Sequence, residues 1–308
     1  MLELVDRLLA TLSVRLHTFS VCEIQRGWRL RVGACDAVIL HYVVKGTGSV
    51  RSGAGQWLAF APHTLMVVPP GISHDLGEAD CVVAESHADD HCSVLDDGLL
   101  KFTAGTGPRD TVLVCARISA SYPGRVGLFP TLGEPLVRDL STSDALRATL
   151  DLILTEVASP GFGTHAMAEV LIKRCLILLL REQAQNKRVN SQLSRFGGDQ
   201  RLDRAVADVL VDPSAVHTMV TLAQKAGMSR ASFADHFKKT YGQTPMNFVK
   251  TVRLETAATL LTTSDAPMKV ISSAVGYTSR SSFSRAFRDL YGVDPRTYRL
   301  PMPGRSGS

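Results

Sequence analysis

The first third of the chain alternates short apolar runs with turn-forming residues. Between about residues 22 and 119, Gly, Pro and Asp separate the runs AVILHYVV, SVRSG, TLMVVPP, DCVVAES and DTVLVCARI. Short strands at close spacing, with turn signals between them, are typical of a β-barrel or a β-sandwich. We therefore predict a β-barrel over about residues 20–120.

The hydrophobic period becomes helical after Ser143, a residue type suited to a helix N-cap. One face of the segment Asp144–Ala158 is apolar and consists of Leu146, Leu150, Ile153, Leu154 and Val157. After a break at residues 159–163, a second helix predicted over His165–Gln185 is apolar around most of its surface. A helix of this kind is usually buried, so we expect these two helices, about residues 143–185, to mediate dimerisation.

The last hundred residues contain one helical pattern twice. The copy AGMSRASFADHFKKTYGQTP begins at Ala226, and VGYTSRSSFSRAFRDLYGVDP begins at Val275. Five packing positions recur 50 residues apart, namely Phe233 and Phe283, Phe237 and Phe287, Tyr241 and Tyr291, Gly242 and Gly292, and Pro245 and Pro295. Each copy predicts a helix-turn-helix whose tight turn, at Gly227 or Gly276, needs the positive φ that glycine tolerates.

The helices of this region are predicted from their apolar spacing and their punctuation. They are Gln200–Val211, ended by Pro213, then Thr218–Ala226, Arg230–Tyr241, Pro245–Ser264, Pro267–Val275, Arg280–Tyr291 and a short helix from Pro295. The connecting helix of about 18–20 residues would span about 30 Å. One turn of B-DNA measures about 34 Å, so the two second helices are expected to enter successive major grooves.

Charge is distributed unevenly along the 308 residues. Residues 1–200 sum to −2 and residues 201–308 to +7, which gives the formal net charge of +5. A basic C-terminal part joined to a slightly acidic part fits a sensor linked to a phosphate-binding module. We expect a sensor and dimerisation domain over 1–186, a linker over 187–199, a DNA-binding domain over 200–300 and a disordered tail over 301–308.

The sequence predicts a cytoplasmic protein without a membrane anchor. The N-terminal MLELVDRLLATL has Glu3 and Asp6 inside its apolar pattern, which suits an amphipathic helix better than a secretion signal. The longest strongly apolar stretch, near Leu176–Leu180, is too short to span a bilayer. Six cysteines without a CxxC pair favour reduced thiols in a cytoplasm.

The basic region resembles the DNA-binding domain of the AraC/XylS family of transcription regulators. The matching pieces are LAQKAGMSRASFADHFKKTYGQTPMNFV, RLETAATLL and ISSAVGYTSRSSFSRAFRDLYGVDPRTYR. The resemblance implies a sequence-specific DNA-binding regulator whose partners are double-stranded DNA and a second copy of the chain, with RNA polymerase as a further candidate.

The same resemblance indicates which side chains face DNA. They are Ser229, Arg230, Ala231, Ala234, Asp235 and Lys238 in the first copy, and Thr278, Ser279, Arg280, Ser281, Ser284, Arg285 and Arg288 in the second. Ser229 is also the N-cap candidate of the helix predicted over Arg230–Tyr241. Ser229 and Thr278 lie near helix starts, where backbone N–H groups favour phosphate. Family members often have a basic or amide residue where Asp235 stands, so we expect weaker base readout from the first copy. For each arginine, a phosphate-only contact or a solvated side chain is the alternative.

The N-terminal part resembles the cupin-type sensor domain of a subset of these regulators. The residues concerned are LHYVVKGTGSVR and LMVVPPGISHDL. The implied fold is α+β with two domains, a cupin-like β-barrel plus a helical dimerisation segment and an all-α double helix-turn-helix. Metal-binding cupin enzymes usually carry an HxH pair and a Glu in the first motif. This chain has only His41 there, which favours a pocket without catalysis over an enzyme.

Four side chains on predicted strands form a candidate sensor: Cys22, His41, His74 and Cys115. A similar arrangement occurs in AraC-type regulators that respond to hypochlorous acid and related oxidants. A nearby imidazolium lowers a cysteine pKa and makes the thiol reactive, and oxidation would modify Cys22 or link it to Cys115. Two His and two Cys are also a donor set for zinc or copper(I). Two interpretations remain. The four residues could line a pocket for another small ligand, or they could simply pack in a β-core.

The other thiols and histidines are weaker candidates. His87, His91 and Cys92 lie in SHADDHCSVLDDG, whose composition favours an exposed loop over a metal-binding helical face. Cys35 is expected in a loop, Cys81 at a strand start, and Cys175 in a packing role.

Two functions compete with a signal-controlled regulator. One is a cupin-type metal-dependent enzyme fused to a DNA anchor, and the other is a constitutive DNA-binding scaffold. The sequence leaves open the inducer, the operator and the choice between activation and repression.

Overall fold

The computed structural model of the chain describes residues 9, 12–80, 82–95, 99–124, 126–127, 134–185 and 200–299. They form two compact units, one mainly of residues 13–121 and 127–185 and the other mainly of residues 200–299. The predicted linker, the predicted tail, Cys81 and all but two residues of the N-terminal helix lie outside the described residues.

The first unit is built on two β-sheets. Its strands are β1 (Ser13–Ile24), β2 (Trp28–Val32), β3 (Val38–Lys45), β4 (Gly48–Ser52), β5 (Leu58–Phe60), β6 (Thr64–Val68), β7 (His74–Gly77), β8 (Ala84–His87), β9 (Cys92–Val94), β10 (Leu100–Ala104), β11 (Thr111–Tyr122), β12 (Val126–Gly127) and β13 (Leu136–Asp139). The larger sheet has the order β13-β6-β3-β11-β1-β10-β9, with β12 paired to β11. The smaller sheet has the order β5-β4-β7-β2-β8.

The β-region extends beyond the predicted residues 20–120 at both ends, so those bounds were wrong. β1 begins at Ser13, and its first residues alternate between exposed Ser13 and Arg15 and buried Val14 and Leu16. This period of two is the signal of a half-buried strand. It was missed because the polar positions interrupt the apolar runs on which the prediction depended. At the other end, β13 pairs with β6 up to Asp139.

Two helices complete the first unit, α1 (Asp144–Ala158) and α2 (Thr164–Gln185). Ser143 occupies the N-cap of α1 as predicted, but its hydroxyl makes no capping bond and instead donates to the carboxylate of Glu182. The backbone N–H of Leu16 on β1 donates to Glu169 on α2 at 2.9 Å. The two helices therefore pack against the outer face of the larger sheet.

The second unit contains helices only among its described residues. They are α3 (Gln200–Val211), α4 (Met219–Lys225), α5 (Arg230–Tyr241), α6 (Pro245–Thr263), α7 (Met268–Ala274), α8 (Arg280–Tyr291) and α9 (Pro295–Arg299). These bounds agree with the predicted helices to within one residue at nearly every end. Two apolar clusters form its core, one around Phe233, Phe237 and Phe248 and the other around Phe283 and Phe287.

The repeat in the sequence is a repeat in the structure. The ring centroids of Phe233 and Phe237 are 5.5 Å apart, and those of Phe283 and Phe287 are 5.7 Å apart. Gly227 and Gly276 both have positive φ, +63° and +82°. A serine hydroxyl caps α5 and α8 in the same way, because Ser229 accepts from the N–H of Ser232 and Ser279 accepts from the N–H of Ser282. The predicted cap Ser229 is confirmed. In the second copy Ser279 is the cap, and Thr278 precedes it.

Candidate functional site

Four predicted sensor residues meet in the core between the two sheets. Cys115 on β11 is paired directly with His41 on β3 and with Ser20 on β1. Cys22 is two residues beyond Ser20, so it projects from the same face of β1 as a diagonal neighbour of Cys115. His74 begins β7 in the opposite sheet. The strand positions of all four residues agree with the sequence analysis.

The side chains form a continuous chain of polar contacts. The sulfur atoms of Cys22 and Cys115 are 3.4 Å apart. Nδ1 of His41 is 2.8 Å from Sγ of Cys115, and its Nε2 is 2.8 Å from Nε2 of His74. The four residues are 1–3% exposed. The contacts thus run from one sheet to the other through the interior of the barrel.

Burial keeps this chain electrically neutral. It lowers the pKa of His41 well below its ordinary value and lowers the pKa of His74 to about 4. It also raises the pKa of the Cys115 thiol well above its usual range. The expectation that an imidazolium activates a cysteine here was therefore wrong, because His41 is neutral at pH 7. Its Nδ1 atom remains in hydrogen-bond contact with Sγ of Cys115.

A cavity of about 260 Å³ adjoins the cluster. Its wall includes Cys22, His41 and Cys115 together with the half-buried Cys35. Exposed residues also line it, namely Gly33, Ala34, Asp89 and Arg117. The cavity therefore connects the buried sulfur atoms to the surface, which gives a small reagent a route to them.

The other cysteines and histidines are separate from this cluster. His87 ends β8, His91 lies in the turn before β9, and both are exposed, as is Cys92. These residues form no helical face, but the expectation of a loop holds only for His91, because His87 ends β8 and Cys92 begins β9. Cys175 is buried on α2, and burial raises its pKa to about 12. Within the described part of the chain, the one convergent set of three metal-type donors is Cys22, His41 and Cys115.

The second helix of each helix-turn-helix presents polar side chains to solvent. On α5 the exposed candidates are Arg230, Ala231, Asp235 and Lys238, with Ala234 half-buried. On α8 they are Arg280, Ser281, Arg285 and Arg288, with Ser284 half-buried. Within residues 200–299, no hydrogen bond or ion pair holds the guanidinium groups of Arg280 and Arg285. Both groups are therefore available to a ligand.

Asp235 is engaged by a lysine that the sequence analysis did not include. Its carboxylate lies 2.9 Å from Nζ of Lys239, one helical turn away. Lys239 lowers the pKa of Asp235 by a hydrogen bond and by its charge. The i, i+4 spacing was visible in the sequence. The pair reduces the repulsion between Asp235 and phosphate, and it occupies Lys239 at the same time.

Arg253 on α6 was also missed, and it joins the two helix-turn-helix units. Its guanidinium donates to the backbone carbonyls of Pro213 and Ala215 at 2.8 Å and of Gly276 at 3.1 Å. A Cβ on Gly276 would lie 2.9 Å from the guanidinium carbon. The planar fork of arginine suits three fixed acceptors. Arg253 therefore ties the connecting helix to the loop before α4 and to the second turn, which sets the separation of α5 and α8.

Comparison with known proteins gives the same two parts. Residues 3–185 match a family model described as "Cupin", and residues 222–300 match one described as "Helix-turn-helix domain". The chain belongs to the AraC family of transcription regulators, in the group with a cupin domain. This AraC-family protein binds DNA and regulates transcription.

Its relatives include full-length bacterial regulators. The "RCS-specific HTH-type transcriptional activator RclR" of Escherichia coli is 25% identical over 90% of each chain. The "HTH-type transcriptional regulator MtrA" of Neisseria gonorrhoeae is 26% identical over 86% of each chain. Among solved structures, the DNA-binding domain of AdpA in complex with a target DNA is 31% identical, covering 32% of this chain and 89% of that one, with a TM-score of 0.32. In the described part of this AraC-family protein, every helix is too short or too polar to cross a membrane.

The neutral imidazoles predict a pH dependence of barrel stability. The pKa of His74 is about 4 in the folded protein and about 6.5 in the unfolded chain. Between these two pH values, the unfolded chain binds a proton at His74 and the folded protein does not. The free energy of unfolding should therefore fall between pH 6.5 and pH 4, by about 3 kcal/mol for this group. His41 acts in the same direction, and the neighbouring carboxylate of Asp75 partly opposes the shift of His74.

Urea unfolding followed by tryptophan fluorescence measures this effect in the barrel, because both tryptophans, Trp28 and Trp57, lie there. His74→Gln should flatten the dependence, whereas His165→Gln, which removes an exposed imidazole on α2, should not. An equal pH slope in the wild type and in His74→Gln would contradict the assignment.

Proposed function

We propose that this AraC-family regulator responds to a strong oxidant through a disulfide between Cys22 and Cys115. The observation that supports this most directly is the 3.4 Å separation of the two sulfur atoms beside a cavity that reaches the surface. Oxidation changes the packing of the barrel against α1 and α2, and this alters how a dimer presents its DNA-binding units. Because DNA is the partner, the protein is assigned to the cytoplasm.

The oxidation balances with hypochlorous acid as the reagent. The Cys22 thiol takes the chlorine, which gives a sulfenyl chloride and water. The Cys115 sulfur then displaces chloride, and His41, 2.8 Å away, accepts the thiol proton. Two thiols are oxidised by two electrons, and hypochlorous acid is reduced to chloride. A buried protonated thiol is a weak nucleophile, so this site favours strong oxidants over mild ones.

The strands that bear the cluster also support the helix pair. Leu40 and Tyr42 flank His41, and Val114 and Ala116 flank Cys115. Neighbouring residues of a strand point to opposite faces, so these four face outward. They line a small space with residues of α1 and α2, namely Leu150, Ile153, Leu154, Ile172 and Cys175. A disulfide bond is about 2.05 Å long, so its formation shortens the present sulfur separation of 3.4 Å. This movement displaces the four outward-facing side chains that contact α1 and α2.

The helix pair also suits dimerisation. Leu152 on α1 is 54% exposed, and Met167 and Val170 on α2 are 50% and 63% exposed. Large apolar side chains that cluster at the surface mark contact surfaces. A second copy of the chain is the proposed partner, because a change in α1–α2 packing then alters the relative position of two DNA-binding units.

The similarity to RclR supports an oxidant as the signal. That relative is described as an RCS-specific activator and responds to oxidants, and it aligns along 90% of this chain. A constitutive DNA-binding scaffold is the alternative, and it predicts no response to oxidation.

Oxidation should change DNA binding only when both thiols are present. We expect one equivalent of hypochlorous acid to change the affinity of the full-length protein for DNA upstream of its own gene by about tenfold, within the range of allosteric coupling. Fluorescence anisotropy with the reduced and the oxidised protein measures it. Cys22→Ser and Cys115→Ser should bind DNA without responding.

Cys92→Ser is the matched control, because it removes an exposed thiol outside the cluster, and it should respond like the wild type. A full response in Cys22→Ser or Cys115→Ser would rule out the disulfide. No response in the wild type would favour the constitutive scaffold.

The two DNA-reading helices are proposed to have unequal roles. Arg285 is assigned to a base and Lys238 to a phosphate. Arg285→Ala should reduce the preference for specific over random DNA by about 1–3 kcal/mol. Lys238→Ala should weaken binding to all DNA and lower the salt slope by about one. Titrations on both DNAs at several salt concentrations separate these effects.

Arg204→Ala is the control for loss of charge, because Arg204 is exposed on α3 outside both helix-turn-helix units. Equal weakening of specific and random DNA by Arg285→Ala would show that Arg285 contacts phosphate only.

A further inference from the structure

Three of the four donors of the barrel cluster converge closely enough to hold one ion. The ligand atoms of Cys22, His41 and Cys115 all lie within 4.8 Å of one another. We propose that the reduced protein binds one Zn²⁺ through Sγ of Cys22, Sγ of Cys115 and Nδ1 of His41, with water from the adjoining cavity as the fourth ligand. This proposal deepens the proposed function and rests on the same cluster.

His74 prepares His41 for this role. Nε2 of His41 lies 2.8 Å from Nε2 of His74, so one of these nitrogens carries the proton and the other accepts the hydrogen bond. A metal ion on Nδ1 of His41 requires His41 to be the donor. With its proton on Nε2, His41 presents a lone pair on Nδ1 toward the two sulfur atoms. An outer hydrogen bond that fixes the tautomer is the usual support of a metal-bound histidine. His74 therefore orients the ligand and does not bind the ion.

The sulfur and nitrogen atoms of the cluster lie at hydrogen-bonding distances, so the cluster must open slightly to hold Zn²⁺. Zn–S bonds of about 2.3 Å and Zn–N bonds of about 2.0 Å at tetrahedral angles separate sulfur from nitrogen by about 3.5 Å and the two sulfur atoms by about 3.8 Å. The present separations are 2.8 Å and 3.4 Å. These two separations therefore increase by less than about 1 Å when the ion binds, and the cavity beside the cluster provides the room.

The charge of the site selects zinc over copper(I), although thiolates bind both ions. Two thiolates and Zn²⁺ sum to zero. Two thiolates and Cu⁺ leave one negative charge in the core, and a buried uncompensated charge is unfavourable. The cavity also offers space for the water that completes a four-coordinate zinc site with three protein ligands.

Zinc also explains how buried thiols, which are weak nucleophiles when protonated, become reactive toward the oxidant. Binding the ion displaces both thiol protons, so the buried sulfur atoms become thiolates, the form that reacts. One zinc dithiolate, one hypochlorous acid and one proton give one disulfide, one free Zn²⁺, one chloride and one water. The two sulfur atoms lose two electrons, and the chlorine gains them. Release of the ion then accompanies disulfide formation.

Zinc titration of the reduced full-length protein against a chromophoric zinc indicator tests the site without oxidant or DNA. We expect one Zn²⁺ per chain, and more than about 100-fold weaker binding in Cys22→Ser and in Cys115→Ser. His74→Gln should retain one site and weaken it about 10–100-fold, as loss of an outer partner does. Cobalt(II) in place of zinc should give a thiolate charge-transfer band that Cys115→Ser diminishes.

Cys92→Ser should bind zinc like the wild type, and thermal unfolding of every variant shows whether its barrel is intact. Zinc binding that survives both Cys22→Ser and Cys115→Ser, an absence of binding, or tight Cu⁺ binding by a protein that does not retain zinc would each overturn the proposal. The oxidation assay on chelator-treated, metal-free protein tests the disulfide by itself. The disulfide can therefore be confirmed or rejected whether or not the protein binds zinc.

Discussion

The contact between the Cys115 thiol and Nδ1 of His41 is the interaction on which the sensing unit depends. It joins two directly paired strands, and Cys22 and His74 extend it toward both sheets of the barrel. In a core otherwise filled by apolar side chains, the polar atoms of these four residues contact one another. They are therefore stable at rest, and a chemical change at one sulfur affects the others.

The helical unit likewise depends on a small number of contacts. Each helix-turn-helix has its own aromatic core, so the two copies are independently packed. Arg253 links them by three hydrogen bonds to backbone carbonyls. The faithful repeat of the packing residues fixes the shape of each reading helix. The differences at exposed positions, such as Asp235 against Arg285, allow the two helices to make different contacts with DNA.

Much of the fold was predictable from the sequence, because hydrophobic periodicity and the residues that begin and end helices are local signals. The bounds of α1, α5 and α8, the cap at Ser229 and the grouping of the four sensor residues followed from spacing and resemblance. The neutrality of His41 was not predictable, since it depends on burial by strands distant in sequence. Arg253 escaped notice because its three acceptors come from two other loops. The first residues of β1 were missed because strand alternation is weaker than an apolar run.

The central claim is that Cys22 and Cys115 are the residues that oxidation joins. Peptide mass spectrometry of the protein before and after one equivalent of hypochlorous acid tests it directly, with free thiols alkylated before digestion. The account predicts a new cross-linked peptide that contains Cys22 and Cys115, two mass units lighter than its reduced parts, while Cys92 and Cys175 remain alkylated. Oxidation confined to Cys92 or Cys35, with Cys22 and Cys115 still alkylated as free thiols, would contradict it.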